Sequence, residues 1–110
     1  MTESQLISAI RLAAPSLGCR LFRNNVGVLK RDARGAVRFG LCPGSSDLIG
    51  WTPRGRFLAV EVKRPGKKPT KQQVQFIGSV RQHGGVGFWV DSLEEFQNHI
   101  QHELRMESLR

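Results

Sequence analysis

A chain of 110 residues, 39% of them hydrophobic, can build one compact core and is too short for two, so residues 1–110 are expected to form a single domain. No apolar run approaches the roughly 18 residues of a membrane span, and the opening turn with Glu3 and Gln5 lacks the basic-then-apolar layout of a secretion signal, so the chain is expected to stay in the cytoplasm. Seventeen Lys and Arg against nine Asp and Glu give a net charge of +8, which points to a polyanionic partner.

Through Val90 there are fifteen basic residues and four acids, Glu3, Asp32, Asp47 and Glu61, a net of +11; the other five acids all follow. A surface that holds phosphate has little use for carboxylates unless they hold a cation between protein and phosphate.

In chain order, Thr2-Glu3-Ser4-Gln5 is a capping-box pattern, and Leu6, Ile7, Ile10, Ala13, Ala14 and Leu17 recur at helical spacing before Gly18. Glu3 falls on the same side as Ile7, Ile10 and Ala14, the stripe that faces the protein. Cys19 to Val28 and Ala36 to Leu41 read as two antiparallel strands joined by a hairpin connection at Lys30 to Gly35. Pro43-Gly44-Ser45-Ser46 breaks the chain before a strand at Asp47 to Trp51, and Thr52-Pro53-Arg54-Gly55 turns it into another at Phe57 to Lys63. In that strand Leu58, Val60 and Val62 share one face, and Phe57, Ala59, Glu61 and Lys63 the other.

Arg64 to Pro69 is a basic loop, and Thr70-Lys71-Gln72-Gln73 opens a helix with Val74, Ile77 and Val80 inward, stopping near His83-Gly84-Gly85. Val86 to Val90 is a short strand. Ser92 then caps a last helix carrying Leu93, Phe96, Ile100 and Leu104. The order α-β-β-β-β-α-β-α, with a strand-helix-strand crossover after the hairpins, predicts an α/β fold with a mixed sheet flanked by helices. Cys19 and Cys42 share no metal-ligand spacing and read as buried free thiols.

Hydrolysing a phosphodiester at neutral pH calls for a metal that activates water, and hard Mg²⁺ calls for oxygen ligands. Asp47 and Glu61 supply carboxylates on neighbouring strands. Lys63 projects from the same face about 7 Å beyond Glu61, where an ammonium orients or deprotonates water, or binds the phosphate. An arbitrary E-x-K is otherwise only the wet side of an amphipathic strand. Here it follows a strongly apolar strand, an Asp precedes it by 14 residues, and the surrounding chain has few other acids.

Phe39-Gly40, Gly44-Ser45-Ser46-Asp47-Leu48-Ile49-Gly50, Gly55 to Lys63, Thr70-Lys71-Gln72-Gln73 and Gly84-Gly85 together resemble the PD-(D/E)xK nuclease superfamily. Within it they resemble the VRR-NUC family, found as small nucleases of phages and bacteria and as the nuclease domain of a eukaryotic crosslink-repair enzyme. Ser46 stands where the superfamily pattern has Pro.

The resemblance implies a restriction-endonuclease-like core and a Mg²⁺ or Mn²⁺ ion held by Asp47, Glu61, the backbone carbonyl of Val62 and the helical Glu3. Lys63 would assist the nucleophile, and Gln73 would either join the site or only close its capping box. It further implies a DNA substrate, branched or structured as in a four-way junction, and a symmetric homodimer that cuts two strands. Arg64, Lys67, Lys68 and Lys71 are expected to contact the DNA backbone irrespective of sequence. Asn24 and Asn25 either touch substrate or only turn the chain, and His83 reads as a helix C-terminal residue. Two alternatives keep the charge and change the chemistry: a non-catalytic basic nucleic-acid-binding module, and a nuclease subunit inactive without a partner.

Overall fold

A computed structural model describes residues 1–30 and 35–109. Helix α1 (Glu3–Ala13) starts at the expected capping box: Thr2 Oγ1 accepts from the Gln5 N–H, and Gln5 Oε1 accepts from the Thr2 N–H. A 3₁₀ turn (Ala14–Leu17) beginning Ala-Pro follows, and Gly18 at φ 77° ends it. Five strands come next: β1 (Arg20–Arg23), β2 (Gly27–Lys30), β3 (Ala36–Phe39), β4 (Leu48–Trp51) and β5 (Phe57–Val62). Helix α2 (Lys71–Gln82), strand β6 (Val86–Val90) and helix α3 (Leu93–Ser108) complete the order.

The main sheet runs β1-β4-β5-β6, with β1 and β5 antiparallel to β4 and β6 parallel to β5 through the α2 crossover. It is the mixed, helix-flanked sheet expected from the sequence, with one change. The apolar stretch from Cys19 to Val28 divides at Asn24 to Val26: its first half is the edge strand β1, and its second half pairs with β3 in a separate two-stranded sheet. The expected hairpin pairing is present, while residues 31–34 of its connection lie outside the described residues.

Apolar alternation explains the layering. Leu21, Leu48, Leu58, Val60, Val62, Val86, Phe88 and Val90 face α1 and α3 and join Leu6, Ile10, Phe96 and Ile100 in one continuous core. β1 lies so close to β4 that a Cβ on Gly50 would overlap the Arg20 carbonyl. On the opposite face α2 packs on β5 and β6, with Ile77 over Gly87. One of the two cysteines differs from expectation. Cys19 is buried as predicted, whereas Cys42 is exposed, in the loop before β4, where its carbonyl accepts from the Ser45 N–H and Oγ.

Candidate active site

The sheet brings Asp47 and Glu61 together at the end where β4 enters. Asp47 immediately precedes β4, and its Oδ2 accepts the Val62 N–H at 2.8 Å, clamping the carboxylate onto β5. Glu61 lies on the face away from the α1–α3 core, yet is only 1% exposed, so it is no solvated strand position. Its Oε1 is 3.9 Å from Lys63 Nζ, as the i, i+2 strand period requires, and its Oε2 is buried with no hydrogen-bond partner among the described residues. A buried polar atom left unpaired is costly and asks for a partner.

Burial pushes the Glu61 carboxyl up from 4.5 to about 9; its hydrogen bond with Asp47 and the charges of Asp47 and Glu3 push the same way, while Lys63 opposes them. Two crowded carboxylates, one with a stranded oxygen, in a chain of net charge +8, are the donor set a hard divalent cation fits. Asp47 and Glu61 would hold it, Asp47 being already fixed by the Val62 N–H. When bound, such an ion neutralises developing charge and lowers the pKa of a coordinated water.

Glu3 reaches the rim. Its Oε2 lies 3.4 Å from the Arg64 N–H, and it lines a cavity of about 690 Å³ with Lys63, Arg64, Lys67 and Lys68. It is near enough to raise Glu61, but among the described residues no three His, Cys, Asp or Glu side chains form a metal-sized cluster. The cavity gathers three of the four expected DNA-contacting residues; Lys71, the first residue of α2, is exposed outside its lining. Gln73 closes the α2 capping box, its Oε1 accepting the Thr70 N–H at 2.8 Å, and also borders a second cavity of about 350 Å³ shared with Asp47.

The VRR-NUC domain family model matches residues 2–94, from the α1 cap through the start of α3. The chain belongs to the VRR-NUC family. A solved structure described as a VRR_NUC domain is similar, with a TM-score of 0.63 and 25% identity over 91% of this chain and 95% of that one. No curated protein matches the chain in sequence. VRR-NUC domains are nuclease-type domains, which makes DNA the substrate class.

One residue of this VRR-NUC site carries no sequence signal of its own. Asn24, buried at the end of β1, donates through Nδ2 to Ser45 Oγ at 2.8 Å and to the Ser46 carbonyl at 2.9 Å, and accepts the Leu41 N–H at Oδ1. Its own N–H donates to the Asp47 carbonyl at 2.8 Å. It therefore fixes the loop that delivers Asp47. A paired Asn-Asn in sequence looks the same whether it turns the chain or organises it; only the register of β1 against β4 separates the two.

Proposed function

We propose that residues 1–110 act as one Mg²⁺- or Mn²⁺-dependent DNA endonuclease domain that hydrolyses phosphodiester bonds, selects branched DNA such as a four-way junction, and works as a homodimer. The observation that carries the hydrolytic reading is the buried, half-unpartnered Glu61 carboxylate against Asp47, inside an otherwise basic field. In this reading Asp47 and Glu61, with the Val62 carbonyl and Glu3 nearby, hold the cation. Lys63, held against Glu61, presents its ammonium to the attacking water or the scissile phosphate. Arg64, Lys67 and Lys68 seat the strand by its phosphates, with Lys71 extending their line, and Gln73 borders the site from the side of Asp47. The homodimer is supported by the β2–β3 hairpin, whose Leu29, Val37 and Phe39 form an exposed apolar face.

The test is cleavage of a labelled four-way junction and its matching duplex with Mg²⁺, Mn²⁺ or EDTA, for the wild type and Lys63→Ala side by side. The expected result is metal-dependent cutting, faster on the junction, with Lys63→Ala slower by about 100-fold or more. Equal rates on the two DNAs would remove the junction preference. Tight binding without cutting in either metal would leave a binding module or a subunit that needs a partner.

A further inference from the structure

Helix α2 packs on β5 and β6, and the β1 and β4 half of the same sheet face carries exposed aromatic side chains instead. Phe22 and Trp51 are each 48% exposed, with ring centroids 5.4 Å apart and planes tilted by 50°. They lie on the face that carries Asp47 and Glu61, because Phe22 pairs with Ile49 and residues 47, 49 and 51 alternate to one side. Rings left open in a tilted pair are hydrophobic surface awaiting a ligand.

Charge chooses the ligand. Arg20 stands opposite Trp51 in register, and Arg11 and Arg20 line, with Phe22, a cavity of about 370 Å³ between α1 and β1 that no acid borders among the described residues. A second copy of this +8 chain would bring more positive charge to those guanidiniums. A DNA strand with unpaired bases answers both features at once, phosphates meeting guanidiniums and base faces meeting rings. Duplex DNA answers only the first, since its base faces are already stacked. The geometry also joins the patch to the cleavage centre. Phe22 is two residues, about 7 Å, before Asn24, which bonds the Asp47 backbone, and Trp51 lies about 13 Å along β4 from Asp47.

We infer that Phe22 and Trp51, with Arg11 and Arg20, form a second binding site, one that stacks and holds unpaired nucleotides of a DNA strand leading to the Asp47–Glu61 centre. The role of that strand as substrate rests on the nuclease reading; the site itself does not. It gives selection of branched DNA a physical basis, because frayed or single-stranded arms have base faces to offer.

The test measures binding in EDTA, so metal chemistry plays no part. Labelled oligothymidylate of about 15 nucleotides and a blunt duplex are titrated with wild type, Trp51→Ala, Trp51→Phe, and Phe22→Leu, which keeps the apolar bulk and removes the ring. Trp51→Ala and Phe22→Leu should each weaken oligothymidylate binding by about ten-fold and duplex binding by less than about two-fold, while Trp51→Phe retains most of the affinity. Unchanged oligothymidylate affinity, or an equal loss on both DNAs, overturns the site. So does a switch from dimer to monomer in sedimentation with the same variants, which would give the face to a second copy. A chain that binds as described but never cuts sinks the nuclease reading alone; one that cuts but ignores oligothymidylate sinks this site alone.

Discussion

Glu61 sits almost out of reach of water, 1% exposed, beside another carboxylate, and its acid-base behaviour follows. With its carboxyl raised from 4.5 to about 9, the folded chain binds a proton that the unfolded chain releases between those values. The stabilisation of that protonated form is complete below about pH 4.5 and is lost as pH rises toward 9. In EDTA, wild-type melting temperature should therefore fall between pH 6 and pH 9 while that of Glu61→Gln stays nearly level. The wild type should lose stability steadily across that range, leaving the variant the more stable of the two at pH 9. A cation must displace the same proton. Mn²⁺ affinity, measured by calorimetry, should rise by up to about ten-fold per pH unit from pH 6 to pH 8, with about one proton released per ion. Affinity independent of pH would place the ion away from Glu61. The cysteines divide by the same logic of access. Cys42 is exposed and should react at once with a chromogenic disulfide, whereas buried Cys19, pushed up to about 11 by burial and by Glu107, should react only on unfolding.

Elements that repeat a period were legible in the sequence, and elements held by single hydrogen bonds were not. The capping boxes at Thr2 and Thr70, the two faces of β5 and the α2 crossover all follow from local spacing, and the structure has each of them. That Asp47, Glu61 and Lys63 lie together was legible because carboxylates are scarce in a basic chain and strand alternation puts Glu61 and Lys63 on one face. The division of the stretch from Cys19 to Val28 was not legible, since an apolar run reads the same whether it stays in one sheet or crosses between two. What divides it is Asn24, whose side chain bonds Leu41, Ser45 and Ser46 and so ties the main sheet to the base of the hairpin. Asn24→Ala strands the Ser46 carbonyl and the Leu41 N–H in a half-buried loop. It should cost about 1–3 kcal/mol of stability in urea unfolding and weaken Mn²⁺ binding through the displaced Asp47. Intact metal affinity in the variant would show that Asp47 is held without it.

At the scale of the whole molecule the long dimension, 55 Å against 32 and 24 Å, belongs to a chain whose second sheet has, among the described residues, two strands. A two-stranded sheet is marginal alone and needs a face to bury. The register gives it two unlike faces. Phe39 lies over Gly27 beside the Leu29–Val37 pair on one side, and Lys30 and Arg38 flank Val28 and Ala36 on the other. Among the described residues the first face carries no charge although the molecule carries +8, and its Leu29 is 56% exposed. Two such faces related by a two-fold axis would cover each other and keep the basic sides apart and outward, toward DNA. On the homodimer reading, wild type should therefore sediment near twice 12.3 kDa, and Leu29→Lys with Val37→Lys near 12.3 kDa. The same pair of changes leaves Asp47, Glu61 and Lys63 untouched, so the monomer should still nick DNA in Mn²⁺ while losing paired cuts across a junction. A wild-type chain that already sediments as a monomer would end the dimer reading and leave the hairpin's apolar face to another partner.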